Sequence, residues 1–163
     1  MNSFADVIRA LHELKAQETI QDYAIVGAMA LVFWTEPIAT YDVDVLVWLS
    51  TSDTSILTLE PIYEWASTRG YPVQAEHILI GGVPVQILPA HNELADESIR
   101  TAVNLDYQGV PVRVVRPEYL IALYLEPSAK TRKRTERAAA LMESSSVDQG
   151  LLSDILSRYN LSL

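Results

Sequence analysis

The sequence of 163 residues contains no cysteine, no long apolar run and few basic residues. Without cysteine the chain has no disulfide framework and no thiolate metal site, which predicts a cytoplasmic protein. No stretch reaches the roughly 18 apolar residues that a transmembrane helix needs, so a membrane partner is not expected. The first residues, Met-Asn-Ser-Phe-Ala-Asp, lack the basic and apolar regions that are typical of a signal peptide.

Acidic residues outnumber basic ones, with 21 Asp and Glu against 12 Lys and Arg and a net charge of −9 at pH 7. This balance argues against broad nucleic-acid binding, because phosphate contacts need clustered Lys and Arg. One local cluster stands apart: Lys130, Arg132, Lys133, Arg134 and Arg137. These residues form either a solvated helix face or a patch for a triphosphate or an RNA end, since arginine matches phosphate geometry.

The length and a hydrophobic content of 49% favour one globular domain over residues 1–163. Its fold class is predicted as α/β (α+β), with a mixed sheet flanked by helices over about 1–116 and a small helical segment over 117–163. The apolar periodicity predicts helices at 4–14, 28–34, 56–66, 93–102, 117–125, 130–143 and 147–159. Alternation and turn signals predict strands at 23–26, 42–48, 76–80, 83–88, 103–107 and 110–115.

Two carboxylates interrupt the otherwise apolar strand at 42–48. Because side chains alternate along a strand, Asp42 and Asp44 share one face of it, while Val43 and Val45 share the other. The two carboxylates are then roughly 6 to 7 Å apart, at about 3.3 Å of rise per residue. Like charges beside apolar surface raise a pKa or call for a cation, and Mg²⁺ prefers such oxygen ligands. The pattern therefore indicates a metal–phosphate site, although many Asp-x-Asp sequences are turns or solvated edges.

The order of strand, Gly27-Ala28, short helix and Asp42-Val43-Asp44 resembles the nucleotidyltransferase superfamily, in which a Gly-Ser or Gly-Gly turn precedes an Asp-x-Asp strand. The resemblance implies that Gly27 and Ala28 seat nucleotide phosphates, as helix N-termini favour anions. It implies that Asp42 and Asp44 hold Mg²⁺ or Mn²⁺ during in-line attack on the α-phosphate of a nucleoside triphosphate. Gly27 has a second interpretation, as a residue that merely permits close packing of helix and strand.

The resemblance covers most of residues 20–160, and it is closest to small bacterial proteins that include abortive-infection type toxins. In these relatives, the strand that matches 82–89 carries a third carboxylate, whereas this chain has Gln86. An amide oxygen can ligate a metal weakly, but it cannot act as a general base. Ala28 lacks the hydroxyl of the family's serine, and Tyr124 and Arg134 stand where a lysine and an aspartate are expected. These departures imply a weakened or lost activity.

The implied function is transfer of a nucleotidyl group from a nucleoside triphosphate to a hydroxyl on a protein, an RNA or a small molecule. Asp42, Asp44 and Gln86 are the candidate catalytic residues, and Lys130 or Lys133 would neutralise phosphate charge. The alternative is a catalytically degenerate protein that binds a nucleotide or a partner and regulates it. A third interpretation is that the chain is a purely structural module. A homo-oligomer and an antitoxin-like partner both remain open, and His77 and His91 are expected at the surface because they lack ligand spacing.

Overall fold

The computed structural model describes residues 3–35, 42–50 and 58–163. One mixed sheet contains the strands β1 (Ile20–Val26), β2 (Val43–Leu49), β3 (Val73–Gln74), β4 (His77–Ile80), β5 (Val83–Pro89), β6 (Val103–Tyr107) and β7 (Val110–Val114). Their order across the sheet is β3-β4-β5-β2-β1-β7-β6. The pairs β1–β7 and β2–β5 are parallel, and the remaining neighbours are antiparallel. The mixed sheet that the sequence predicted is confirmed.

The helices of the described residues are α1 (Ser3–Ala16), α2 (Gly27–Trp34), α3 (Glu60–Thr68), α4 (Glu93–Arg100), α5 (Pro117–Tyr124), α6 (Arg132–Met142) and α7 (Gln149–Arg158). A single 3₁₀ turn at Pro127–Ala129 precedes α6, which therefore starts two residues later than predicted. Sequence patterns missed β3, because a strand of two residues is too short to show alternation. Residues 56 and 57 of the predicted third helix lie outside the described part of the chain.

Strand β2 separates two different surfaces. Val43, Val45 and Val47 are fully buried. On the adjacent strand β1, the hydroxyl of Tyr23 forms a 3.1 Å hydrogen bond with Nε2 of His12 on α1. On the opposite face, the Trp48 indole donates a 2.9 Å hydrogen bond to Asp96 of α4. Helix α1 therefore covers one face of the sheet, and the face that carries Asp44 lies under α4.

A partly exposed ion pair and its hydrogen bonds join α4, α5 and α7. Both oxygens of Glu97 accept hydrogen bonds from Arg158, at 3.0 and 2.7 Å, and Tyr119 donates a third at 2.6 Å. The Arg158 guanidinium, helped by the hydroxyl of Tyr119, lowers the pKa of Glu97 to about 2 despite partial burial. Charge-assisted, bidentate contacts of this kind are among the stronger hydrogen bonds in proteins. This carboxylate thus fixes the positions of three helices relative to one another.

Replacing Glu97 with glutamine is expected to lower the free energy of unfolding by about 1–3 kcal/mol at neutral pH, because Arg158 and Tyr119 lose a charged acceptor. The pKa of Glu97 is lowered on folding, so its stabilisation is present above the ordinary value of 4.5 and is lost as the pH falls towards about 2. Urea unfolding of wild type and Glu97→Gln across this range should show the two stabilities converging at low pH.

Asp154→Asn is the matched control, since Asp154 also bonds Arg158 but its side chain is 62% exposed. Exposed pairs contribute about 0–1 kcal/mol, so this variant should remain close to wild type. Equal losses in the two variants would contradict the role assigned to Glu97.

Across residues 3–35, 42–50 and 58–163, the helices are all too short or too polar to cross a bilayer. This finding agrees with the absence of a long apolar run in the sequence.

Candidate functional site

Polar side chains from three neighbouring strands lie in one row on the face under α4. Asp44 of β2 pairs with Gln86 of β5, and Gln86 pairs in turn with His77 of β4. On the other side, Asp44 pairs with Val26, the last residue of β1. Residues that are opposite each other on adjacent strands point to the same face of a sheet. The structure therefore places Gln86 beside Asp44, where the family resemblance expects a third carboxylate.

Asp42 lies just before β2 and extends the site towards solvent. Its side chain is 57% exposed, and its Oδ2 is 3.9 Å from Nε2 of His77. His77 is 26% exposed, so it lies at the surface but is partly covered by its neighbours. The tight turn at 81–82 fixes the register that brings His77 opposite Gln86.

The carboxylate of Asp44 is half-buried and electrostatically perturbed. Burial is the main cause that raises its pKa, and the charge of Asp42 raises it further. His77, Arg134 and Arg137 act in the opposite direction. This agrees with the sequence argument that two like charges beside apolar surface raise a pKa.

The donors at this site fit a hard divalent cation. Mg²⁺ is usually held by one or two carboxylates together with substrate phosphates, and Asp42 and Asp44 supply two carboxylates. In the part of the chain that the structure describes, no group of three or more His, Asp or Glu side chains could hold a metal ion by itself. The remaining ligands for a cation would therefore be substrate oxygens, with the amide oxygen of Gln86 as a weak addition.

Gly27 lies directly against Asp44. Its φ of +65° is in the left-handed region, and a Cβ atom built there would be 2.6 Å from Oδ2 of Asp44. Glycine is thus needed both for the backbone conformation and for the close approach of the carboxylate. The approach is to a side chain of the neighbouring strand β2, so it agrees both with close helix–strand packing and with a phosphate site. It is the first residue of α2, and Ala28 follows it in the first turn.

Arg134, and not Lys130 or Lys133, is the basic residue of α6 that lines this site. Arg134 lines a cavity together with Gly27 and Asp44. The side chain of Lys130 donates instead to the carbonyl of Ser162, at 3.0 Å, and Lys133 is exposed. The fully buried Ala138 and Leu141 define the inner side of α6. Arg134 is four positions before Ala138 and seven before Leu141, so it lies on this inner side of the helix, whereas Lys133 does not.

This cavity has a volume of about 330 Å³ and extends from Asp44 between the sheet and the helices. Its apolar walls consist of Val26, Leu46, Leu88, Ala95, Leu120 and Leu123. Its polar lining includes His91, Tyr124, Glu126 and Arg134 besides Asp44. At Pro89 and His91 it adjoins an open groove of about 740 Å³ that runs towards Trp48 and Arg100. Sequence patterns could not reveal the cavity, because its wall residues show the same periodicity as core residues.

No protein-family model matches the chain, and no curated protein matches it significantly. Several solved structures are similar to it. The crystal structure of ANT(2'')-Ia in complex with adenylyl-2''-tobramycin is 15% identical, with 98% of each chain covered and a TM-score of 0.58. The solution structure of the antibiotic-resistance factor ANT(2'')-Ia is 16% identical, with coverage of 96% of this chain and 91% of that chain and a TM-score of 0.55.

An antigenic nucleotidyltransferase-like protein from Paracoccidioides brasiliensis is similar as well. It is 17% identical, with coverage of 96% of this chain and 88% of that chain and a TM-score of 0.54. Identities this low show the shared fold and no more. The chain has the fold of nucleotidyltransferases, as its sequence resemblance predicted.

Proposed function

We propose that this chain, which has a nucleotidyltransferase fold, binds a nucleoside triphosphate with Mg²⁺ or Mn²⁺ and transfers the nucleotidyl group to a hydroxyl. The observation that carries the proposal is the close approach of Gly27 to the perturbed carboxylate of Asp44, with Asp42 beside it. A glycine that leaves room for a half-buried carboxylate at the start of a helix is an arrangement suited to a metal-bound phosphate.

Asp42 and Asp44 would hold the cation, which when bound neutralises phosphate charge and polarises the α-phosphate. Backbone N–H groups at Gly27 and Ala28 would seat a phosphate, because the N-terminal end of a helix favours anions. Arg134 is positioned to neutralise further charge, and Lys130 and Lys133 remain predictions for that role. In the transfer, the acceptor oxygen bonds to the α-phosphorus while pyrophosphate leaves, and the hydroxyl proton passes to solvent.

Gln86 supports a second candidate function, that of a nucleotide-binding regulatory protein without transfer activity. Its amide is adjacent to Asp44 but cannot accept the proton of an attacking hydroxyl. Binding would then survive, because Asp42 and Asp44 are unaffected, while the chemical step would be slow or absent.

Gln86→Asp is expected to raise pyrophosphate release in the presence of Mg²⁺ and a nucleoside triphosphate by about a hundredfold or more, since general bases contribute roughly 10²–10⁴-fold. Release would be measured for each of the four ribonucleoside triphosphates, with water as the hydroxyl that accepts the nucleotidyl group, and thermal unfolding would be recorded on the same samples. Gln17→Asp is the control, because it adds the same charge at an exposed position before β1, at the far end from Asp44.

A metal-dependent thermal shift in wild type, with release rising in Gln86→Asp, would support a transferase that lacks an efficient base. A shift in both proteins without release in either would favour the regulatory function. If no nucleotide shifts either protein, both candidate functions are wrong.

A further inference from the structure

The cavity beside Asp44 is built to hold a small molecule. Ligand sites commonly have volumes of about 300–1,000 Å³ with mostly apolar walls and a few polar groups. This cavity has a volume of about 330 Å³, and aliphatic side chains from the sheet, α4 and α5 form most of its wall. A molecule seated there reaches Asp44 and Gly27 at one end.

Two buried polar atoms on its wall lack partners. Among the described residues, neither the hydroxyl of Tyr124 nor Nε of Arg134 makes a hydrogen bond of normal geometry. The guanidinium groups of Arg137 and Arg134 are nevertheless close enough to the Tyr124 hydroxyl to oppose the rise in its pKa that burial causes. Tyr124 is 3% exposed. Arg134 is held in place, because its Nη2 donates to the carbonyl of Leu123 at 3.1 Å and its guanidinium lies 5.1 Å from the centre of the Tyr124 ring. Buried polar groups in proteins nearly always have a partner, so these two atoms are available to an oxygen of a ligand.

The charged residues that line the cavity determine which kind of ligand oxygen is favoured there. Glu126, at the same end of α5, already accepts a 3.0 Å hydrogen bond from Asn92. Asp44 lies against Gly27 and belongs to the carboxylate pair with Asp42. Arg134 and Arg137 therefore place positive charge near Tyr124, and Nε of Arg134 favours an anionic or carbonyl oxygen over an ammonium group at this end of the cavity.

We propose that this cavity binds the acceptor of the transfer, and that the acceptor is a small hydroxyl compound with an apolar body and a carboxylate or carbonyl group. Tyr124 and Arg134 bind that oxygen, the aliphatic walls enclose the body, and the hydroxyl is directed towards Asp44. The identification as an acceptor rests on the proposed function, whereas binding of this class of compound does not. An ammonium group in place of this oxygen is disfavoured by Arg134.

The test compares 4-hydroxyphenylacetate with tyramine, which share the ring and the hydroxyl but differ in the sign of the charge. Binding would be measured by calorimetry and by NMR chemical shifts, without metal or nucleotide. Wild type is expected to bind the acid, and to bind tyramine at least about tenfold more weakly, as one charge-assisted hydrogen bond implies. Tyr124→Phe and Arg134→Gln should each weaken binding of the acid by about tenfold.

Matched control variants distinguish a loss of ligand binding from a loss of folding. Tyr63→Phe on α3 and Arg132→Gln, whose arginine is 93% exposed on α6, should leave binding unchanged. Tyr124→Phe should unfold at the same temperature as wild type or up to about 4 °C higher, because it removes a buried hydroxyl without a partner. Ala95→Leu should block the acid by filling the cavity, while Ala139→Leu on the exposed side of α6 should not.

Equal binding of acid and amine, or binding of the acid that survives Tyr124→Phe, Arg134→Gln and Ala95→Leu, would overturn the inference. Nucleotide binding is followed separately by the metal-dependent thermal shift. A nucleotide shift without binding of the acid leaves the proposed function standing and overturns the acceptor class. Binding of the acid without any nucleotide shift supports the ligand class of the cavity and contradicts the transfer.

Discussion

Asp42→Asn/Asp44→Asn is expected to lose every metal-dependent stabilisation by a nucleoside triphosphate. A ligand at 100 times its dissociation constant adds about 2.7 kcal/mol to the free energy of unfolding, or roughly 5–10 °C for a chain of this size. Wild type should show a shift of this order with Mg²⁺ or Mn²⁺ and the preferred nucleotide. The double variant should show none, because an amide oxygen carries no charge with which to hold a hard cation.

Without metal, the same double variant should be at least as stable as wild type at neutral pH. The pKa of Asp44 is raised on folding, chiefly by burial, so its favourable contribution is present below the ordinary value of 3.8 and is lost as the pH rises through its folded value. Asparagine does not titrate. Urea unfolding from about pH 4 to pH 8 should therefore show that the free energy of unfolding of the variant rises relative to that of wild type as the pH rises.

The two single variants, Asp42→Asn and Asp44→Asn, should contribute unequally to this increase in the free energy of unfolding. Asp44→Asn should account for most of it, since Asp44 is half-buried, whereas the side chain of Asp42 is 57% exposed. Asp6→Asn/Asp154→Asn removes the same charge at positions that are 54% and 62% exposed, and serves as the control. A nucleotide shift that persists in Asp42→Asn/Asp44→Asn would show that these carboxylates do not hold the cation.

Gly27→Ala is expected to lower the free energy of unfolding by about 2–5 kcal/mol. A left-handed backbone costs a non-glycine residue about 1–2 kcal/mol, and forcing atoms into packed space adds about 1–3 kcal/mol. The new methyl group would meet Oδ2 of Asp44 at 2.6 Å. The carboxylate must then move, so the variant should also lose the metal-dependent nucleotide shift. Urea unfolding and the nucleotide thermal shift measure the two effects.

Gly82→Ala isolates the backbone contribution to this loss. Gly82 has a φ of +81°, but a Cβ atom there would meet nothing within 4 Å. Its loss should be limited to about 1–2 kcal/mol. In Gly27→Ala/Asp44→Gly the clash is removed, so the double variant should be more stable than the sum of the single losses implies. Additive losses, or equal losses at Gly27 and Gly82, would show that Asp44 does not constrain this glycine.

The sequence was informative wherever a short-range pattern determines the geometry. Alternation along 42–48 correctly separated the buried Val43, Val45 and Val47 from the acidic face. The glycine turn at 81–82 set the hairpin that places His77 opposite Gln86. The resemblance to nucleotidyltransferases predicted the fold, which the solved structures confirm. The functional roles of the site residues, including Gly27 and Ala28, remain predictions.

The sequence was uninformative where tertiary packing selects among equivalent residues. Five basic residues within 130–137 cover all sides of a helix, so the pattern alone could not show which of them faces the site. Packing of Ala138 and Leu141 turns Arg134 towards Asp44 and leaves Lys133 in solvent. The two atoms without partners, on Tyr124 and Arg134, depend on neighbours from several elements, and so they have no signature in sequence.

The ion pair at Glu97 also determines how the cavity can select by shape. Ala95 of α4 and Leu120 of α5 form facing parts of its wall, and the hydrogen bond from Tyr119 to Glu97 ties these two helices together. Because this charge-assisted bond opposes separation of the two helices at neutral pH, we expect the wall to resist widening for a broader molecule. A longer molecule must instead extend through the adjoining groove towards Trp48. The width of an acceptor is therefore restricted by the helices, while its length is not.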